Sequence, residues 1–306
     1  MNQPLRVDFL RGIRMRAPGV KATRQFYETS WGLSCVAETE DALYFRGTDA
    51  EQWIYALRED DTYGIDYLHF GMSSRERIDQ LYARLQAEPR VEVGDAPAEV
   101  ETPGGGYGFY AVDPEGRRLR FTADVARHAD AEPQTGKPRK ISHVVMNATD
   151  IQASQAFYEQ VLGFRASDYS ADVMVFLRCT SEHHSIAFNR NTYTSINHVA
   201  FLMPSLDSFM RGIGRMRTSG RQPPAWGPGR HGPGSNTFAY FVSPSSFVIE
   251  YTSEVQEIDE ATHQPKVWPR DIPEASDVWL TAGPPSPVIR AAMQGRPDPG
   301  WLGRTV

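Results

Sequence analysis

The second half of the chain alternates short apolar segments with amphipathic ones in a regular order. Residues 141–148 have the alternating, β-branched pattern of a strand, and residues 153–162 carry apolar side chains at helical spacing up to Gly163, a typical helix stop. Three more segments of strand character follow, at 164–169, 173–179 and 183–189. This order predicts a βαβββ unit.

The same order starts again at residue 196. A strand is predicted over 196–203 and a helix over 206–218, followed by a glycine-rich loop and strands over 237–244 and 247–253. The opening strands of the two units share one motif, in which a polar residue precedes a histidine and a valine. If a pseudo-twofold axis relates the units, these equivalent positions face one another.

The first half of the chain repeats this pattern. The segment that begins at Leu10 aligns with the one that begins at Ile141, and both contain Phe-Tyr-Glu, then a glycine and an apolar residue. Tyr27 falls on Tyr158, 131 residues later. Such a repeat indicates a duplicated domain. The sequence therefore predicts an α+β fold of two tandem domains, each of two βαβββ units whose strands curve round a central cavity.

A polar, proline-bearing segment separates the two copies, as expected of a domain boundary. We predict an N-terminal domain over residues 1–127, a linker over 128–139 and a C-terminal domain over 140–256. The proline-rich tail, residues 257–306, departs from the repeated pattern. It is predicted to form either a lid over the cavity or a subunit contact.

Composition narrows the classes of function. The net charge of −6 argues against a nucleic-acid-binding protein, and no apolar run is long enough to span a bilayer. Arginines interrupt the N-terminal segment where a signal peptide needs an apolar stretch. The two cysteines, Cys35 and Cys179, are far apart in sequence, which indicates a reducing cytoplasm and excludes a cysteine-built metal site.

Three residues of the second half are candidate metal ligands. His143 and His198 hold equal places in the two opening strands, and Glu250 lies among apolar residues of the last strand. A carboxylate there is costly unless a cation compensates it. Two histidines and one carboxylate on one face of an ion leave positions open for other ligands, an arrangement that suits non-haem Fe(II).

The duplicated half serves as an internal control for this hypothesis. A single histidine or glutamate in a strand is more often a structural residue than a ligand. However, the aligned positions in the first half are Gly12, Tyr67 and Arg120, so all three candidates are absent there together. The scaffold therefore does not need them for folding, and the N-terminal domain is predicted to have lost the site. His69, near the Tyr67 position, is interpreted as structural.

These motifs resemble the vicinal oxygen chelate superfamily and, within it, the two-domain type I extradiol catechol dioxygenases, from about Leu10 to about Tyr251. The stretch over 226–251, WGPGRHGPGSNTFAYFVSPSSFVIEY, is similar to that family's signature around its last metal ligand. The resemblance implies that His143, His198 and Glu250 bind Fe(II), with Mn(II) as the alternative metal.

The resemblance also assigns roles to residues near the metal. His184 matches the histidine that acts as acid and base near bound oxygen, and Tyr240 the tyrosine that hydrogen-bonds the substrate oxygen. His231 matches a histidine that closes over the substrate. Trp226 stands where relatives that bind carboxylated catechols carry an arginine, which favours an uncharged or substituted diol unless Trp226 merely packs the loop. The other histidines, His183 and His263, are expected to be structural.

The predicted function is thus insertion of O2 into an aromatic vicinal diol by a cytoplasmic enzyme, with no nucleic-acid or membrane partner. The resemblance implies a homo-oligomer, a tetramer or larger. One alternative is a glyoxalase-like metal-dependent isomerase or lyase on the same scaffold. The other is a non-catalytic ligand-binding protein of the superfamily, against which the complete set of ligands in the second half argues.

Overall fold

The computed structural model describes residues 5–298 and 300–302, so the outermost ends of the predicted N-terminal domain and tail lie outside the described residues. The strands are β1 (Phe9–Ala17), β2 (Ser34–Glu38), β3 (Ala42–Arg46), β4 (Tyr55–Glu59), β5 (Gly64–Gly71), β6 (Glu92–Val93), β7 (Ala98–Glu99), β8 (Tyr107–Val112), β9 (Arg118–Ala123), β10 (Lys140–Ala148), β11 (Arg165–Ser170), β12 (Met174–Arg178), β13 (Ile186–Arg190), β14 (Ser195–Leu202), β15 (Trp226–Arg230), β16 (Thr237–Val242), β17 (Val248–Ser253) and β18 (Lys266–Trp268). The α-helices are α1 (Arg75–Gln86), α2 (Ile151–Gln160), α3 (Leu206–Thr218), α4 (Pro273–Ser276) and α5 (Pro287–Gln294).

Each half of the chain forms one mixed sheet, which confirms the predicted α+β class. In the second half the strand order is β15-β16-β17-β14-β10-β13-β12-β11-β18. The opening strands of the two units, β10 and β14, lie side by side and antiparallel at its centre, and each pairs in parallel with the last strand of its own unit. The first half has the same arrangement around β1 and β5.

The helices begin where side chains can satisfy free backbone amides. Asp150 accepts a hydrogen bond from Ala153 N at the start of α2, and Ser205 accepts one from Ser208 N at the start of α3. The helix α3 has the predicted bounds. In the first unit, by contrast, a 3-10 turn over Val20–Thr23 and a π-helix over Phe26–Trp31 replace the expected α-helix.

Two local predictions in the second half were wrong. The segment predicted as a strand over 183–189 begins its strand only at Ile186, so His183 and His184 lie in the loop before it. The predicted glycine-rich loop contains the edge strand β15, which pairs antiparallel with β16 and brings Trp226 opposite Tyr240. Glycine and proline residues hid this strand, because they are depleted in strands generally.

One hydrophobic core runs through both halves of the molecule. Trp31, from the first unit, stacks on Tyr251 of β17 with ring centroids 3.8 Å apart, and its ring edge also meets Phe201 of β14. Tyr251 also donates a hydrogen bond to the backbone carbonyl of Trp31. The back of the sheet that carries the candidate ligands is therefore held by packing against the other half.

The tail follows the second half closely. Its strand β18 extends the sheet beside β11, and α5 packs Ile289 into an apolar cluster with Phe238, Tyr240 and Val248. Asp298 then reaches the first half, where it pairs with Arg16 and accepts a hydrogen bond from Ile65 N at 2.9 Å. The tail is thus part of the folded unit.

No helix in the described part of the chain combines the length and the apolar composition of a membrane span.

The contact of Asp298 with Arg16 makes a testable contribution to stability. Arg16 is 1% exposed, so Asp298→Ala leaves a buried guanidinium without its carboxylate, and we expect the free energy of unfolding to fall by about 3 kcal/mol. Urea denaturation measures this change. The matched control is Asp207→Ala, since Asp207 pairs with Arg211 in an exposed bridge and its loss should cost less than about 1 kcal/mol. Equal losses of unfolding free energy in the two variants would contradict a stabilising role for the buried Asp298–Arg16 pair.

Candidate metal centre and its surroundings

Strand pairing brings the three predicted ligands to one place on one face of the sheet. His143 on β10 lies opposite Ala200 on β14, and Ala200 lies beside Glu250 on β17. His198 is two residues before Ala200 and projects from the same face, because side chains alternate along a strand. The predicted equivalence of the two opening strands thus has a direct structural counterpart.

The first half shows the same register with different residues. Gly12 lies opposite His69, and His69 lies beside Arg120, just as His143, Ala200 and Glu250 are arranged in the second half. Arg120 donates a hydrogen bond of 2.9 Å to the hydroxyl of Tyr67, and the imidazole of His69 is 2.7 Å from Thr122 Oγ1. In the first half, Tyr67, His69 and Arg120 are thus engaged in internal hydrogen bonds.

In the second half, the candidate ligand atoms converge. Glu250 Oε2 lies 3.1 Å from His198 Nε2 and 3.3 Å from His143 Nε2, and one ligand atom from each residue falls within 4.8 Å of the others. All three side chains are buried. Despite the short distances, both oxygens of Glu250 and Nε2 of His198 lack a hydrogen-bond partner among the described residues.

Hydrogen bonds and burial set the charges at this point. His198 Nδ1 lies 2.8 Å from Asn197 Oδ1, which can only accept, so the proton is on Nδ1 and a lone pair on Nε2 faces Glu250. Burial lowers the pKa of His198, so its ring is neutral at neutral pH. Burial alone would raise the pKa of Glu250. Lowering that pKa to about 2 requires positive charge or hydrogen-bond donors at the positions of His143 and His198, and a neutral His198 with its proton on Nδ1 supplies neither to Glu250.

A buried carboxylate facing an imidazole lone pair is unfavourable unless a cation lies between them. Two ligand atoms at right angles, each about 2.1 Å from an ion, would be about 3 Å apart, which matches the observed separations. The three residues therefore fit a divalent cation. Two imidazole nitrogens and one carboxylate oxygen on one face of an ion form the facial triad of non-haem iron proteins.

His184 lies against the ligand cluster. Its ring centroid is 4.1 Å from that of His143 and 5.2 Å from that of Phe176. Burial, reinforced by the neighbouring histidines, lowers the pKa of His184 well below its ordinary value, so its ring is neutral. Its Nδ1 lies 3.0 Å from Nδ1 of His183, which the sequence analysis treated as structural.

Tyr240 and His231 form a second pair beside Glu250. Tyr240 lies directly opposite Glu250 on the adjacent strand, and its ring centroid is 5.1 Å from that of His198. The Nδ1–H of His231 donates to the carbonyl of Ser276 in the tail, so its Nε2 accepts a hydrogen bond of 3.0 Å from the Tyr240 hydroxyl. Burial raises the pKa of Tyr240, and nearby Glu250 raises it further, which keeps the phenol protonated.

Trp226 packs against this pair. Its ring stacks on Tyr240 with centroids 5.1 Å apart and lies 4.4 Å from the ring of Phe238. Its indole N–H donates to the carbonyl of Gly283 in the tail. The structure therefore brings Trp226 to the site, beside the predicted tyrosine.

Sequence reasoning missed the residues that hold the predicted ones. Asp168 bonds His183, and Ser276 orients His231. Neither carried a signal, because each depends on a tertiary contact with a residue distant in sequence. Asn197 could be identified from the sequence, since it is the polar residue that precedes His198 in the motif. The other histidine considered structural, His263, has a backbone partner, Ser167 O at 2.8 Å.

Comparison with known proteins agrees with this geometry. Residues 140–251 match the Glyoxalase/Bleomycin resistance protein/Dioxygenase superfamily. The chain is 31% identical over 301 residues to Metapyrocatechase 2 of Cupriavidus necator, covering 89% of this chain and 88% of that protein. It is 24% identical to 3-methylcatechol 2,3-dioxygenase of Pseudomonas putida over 258 residues, covering 78% of this chain and 87% of that protein.

Among solved structures, the chain is similar to the Mn(II)-bound glyoxalase from Novosphingobium aromaticivorans. The two are 39% identical, with a TM-score of 0.87, over 93% of this chain and 94% of that one. The matches to Metapyrocatechase 2 and to the Novosphingobium protein cover 89% and 93% of this chain, so both halves contribute to them. The chain belongs to the Glyoxalase/Bleomycin resistance protein/Dioxygenase (vicinal oxygen chelate) superfamily, and within it to the extradiol, ring-cleaving catechol dioxygenases.

Proposed function

We propose that the protein cleaves an uncharged or substituted catechol with O2 at an Fe(II) ion bound by His143, His198 and Glu250. The observation that carries this proposal is the convergence of three buried ligand atoms that lack hydrogen-bond partners. The bound metal would bring the diol and O2 together and favour loss of a proton from the diol.

The chain's own side chains would then transfer protons and orient the substrate. His184, neutral and beside His143, is placed to take up and return a proton. Tyr240 stays a protonated donor next to Glu250, available to a substrate oxygen, and His231 accepts from that hydroxyl and holds it in place. Together they give the site an acid–base group on one side and a hydrogen-bonding pair on the other.

The walls of the site favour a substrate without charge. Val145, Phe176 and Ala187 form an apolar cluster on β10, which carries His143, and on β12 and β13, which flank the loop of His184. On the other side, Tyr240 packs with Phe238 and Val248. Apolar walls with a few polar groups suit an aromatic ligand. The relative from Pseudomonas putida, named for 3-methylcatechol, is consistent with this substrate class.

Trp226 offers a test of substrate class. Trp226→Arg would place a cation beside Tyr240, and we expect kcat/KM for 3,4-dihydroxyphenylacetate to rise at least about 10-fold relative to 3-methylcatechol, or about 1.4 kcal/mol. Steady-state kinetics with both substrates measures the ratio. Trp226→Phe is the control, since it keeps an uncharged ring. An unchanged ratio in Trp226→Arg would place Trp226 outside the substrate contacts.

The proposed activity itself is tested by loading the metal-free protein anaerobically with Fe(II) or Mn(II), adding a panel of catechols and then admitting O2. A yellow ring-opened product with Fe(II) supports the proposal. Product formed with Mn(II) but not with Fe(II) would identify Mn(II) as the catalytic metal. Manganese is also the metal bound in the Novosphingobium glyoxalase. Isomerisation of a substrate without O2 uptake would favour the glyoxalase-like alternative instead.

We further propose the organisation of the protein. An N-terminal domain over 1–127 without a metal site, a linker over 128–139 and a catalytic domain over 140–256 are supported by the separate sheets of the two halves. The contacts of Ser276 and Gly283 with His231 and Trp226 support a lid role for the tail over 257–306. Two free cysteines support a cytoplasmic location. A homo-oligomer, a tetramer or larger, remains our prediction by resemblance.

A further inference from the structure

His183 is a completely buried histidine that the proposed reaction does not use. Its Nδ1 lies 3.0 Å from His184 Nδ1, and its Nε2 lies 3.1 Å from Asp168 Oδ2. Asp168 is in turn held by the tail, because Trp268 Nε1–H donates to Oδ2 at 2.7 Å and the backbone N–H of Lys266 donates to Oδ1 at 2.8 Å. A continuous chain of hydrogen bonds therefore runs from the tail to His184.

The chemistry of these groups fixes the direction of the chain. Burial opposes ionisation of Asp168, but the hydrogen bonds it accepts from His183, Lys266 N and Trp268 lower its pKa overall, so it is a carboxylate that can only accept. His183 must then carry its proton on Nε2. Because burial lowers the pKa of His183, its ring is neutral and its Nδ1 is an acceptor.

The direction of these hydrogen bonds determines which nitrogen of His184 carries a proton. An acceptor at His183 Nδ1 requires a proton on Nδ1 of His184, 3.0 Å away, so the atom of His184 that can exchange a proton in the reaction is Nε2, at the far side of the ring from His183. We propose that Asp168 and His183 are positioning residues that fix the tautomer and orientation of His184, so that it enters the reaction as a proton acceptor at Nε2. This inference rests on the proposed acid–base role of His184.

The packing around His183 is built to hold this geometry. Gly234, which follows the GRHG motif, has a left-handed φ of 72°, and a Cβ there would lie 3.0 Å from His183 Nδ1. The backbone N–H of His183 donates to the carbonyl of Gln256, the residue just before the tail, at 2.8 Å. The loop that precedes β13 is thus clamped on both sides, and the ring of His183 has little freedom to turn.

The test is a double-mutant cycle with the iron-loaded enzyme and 3-methylcatechol. His183→Leu removes the acceptor, and we expect kcat to fall about 10- to 100-fold with the KM for the diol and the iron content unchanged. His183→Asn can keep an acceptor near the Nδ1 position and should restore most of the rate. In a His184→Phe background, His183→Leu should cause no further loss, because residues that act through one another are not additive.

Three outcomes would overturn the inference. These are full activity of His183→Leu, an equal loss from His183→Leu in the presence and absence of His184, and failure of His183→Asn to restore the rate. Full activity of His184→Phe would instead refute the proposed role of His184, so the two failures are distinguishable.

If His183→Leu does not fold, Asp168→Asn in the Trp268→Phe background tests the same positioning role. The amide can donate to His183 Nε2 and so reverse the tautomers of both histidines while preserving their packing. We expect a loss of kcat larger than that of Trp268→Phe alone. An equal rate in the two would refute the positioning role.

Discussion

Replacing His198 with alanine is expected to abolish both iron binding and ring cleavage. His198 supplies one of the three proposed ligand atoms that converge, and its Nε2 faces Glu250 Oε2 at 3.1 Å. With one imidazole gone, only two side chains remain to hold the cation that compensates the buried carboxylate of Glu250. Metal analysis of the purified variant and an oxygen-uptake assay with 3-methylcatechol measure both effects.

A second readout separates metal loss from misfolding. An ion that binds only the folded protein stabilises it, by about 2.7 kcal/mol when its free concentration is 100 times the Kd. Anaerobic Fe(II) should therefore raise the Tm of the wild-type protein and leave that of His198→Ala unchanged. His263→Ala is the matched control, because its imidazole is bound to the Ser167 carbonyl instead. Normal iron content in His198→Ala would remove His198 from the ligand set.

The strand framework and the convergence of the ligands could be predicted because both follow from local pattern and repetition. Alternation placed β10 and β14, and their common motif placed His143 and His198 on the same face. The duplicated half supplied what a single sequence usually lacks, a comparison in which Gly12 and Arg120 replace two ligands. The register of the two sheets confirms that this alignment is structurally correct.

The position of Tyr240 relative to Glu250 could not be derived from their separation of ten residues. It depends on the turn between β16 and β17, which sets the pairing register and places the two residues directly opposite each other. The roles of the tail were equally hidden. Ser276, Lys266 and Trp268 lie in segments of irregular pattern, and their contacts with the site arise only from the path of the folded chain.

The environment of His184 explains why a resemblance alone could name this residue without showing how it works. In sequence it is one of two adjacent histidines, and nothing there tells which of them faces the metal site. In the structure the ring of His184 lies tilted against that of His143, whereas His183 is hydrogen-bonded to Asp168. The two imidazoles thus have different partners, and only the ring beside the ligand cluster is placed for proton transfer.

His184→Phe is accordingly expected to separate metal binding from chemistry. Phenylalanine can fill the space between His143 and Phe176 but cannot take or return a proton, so we expect normal iron content, normal anaerobic binding of the diol and a kcat lower by about 10²- to 10⁴-fold. Stopped-flow mixing of the anaerobic diol complex with O2 should place the loss after the diol binds. Phe176→Leu disturbs the same packing and the same apolar wall but keeps the imidazole, so its loss of kcat should be far smaller than that of His184→Phe. If both variants lost activity equally, packing around the site would account for the effect, and proton transfer by His184 would have no support.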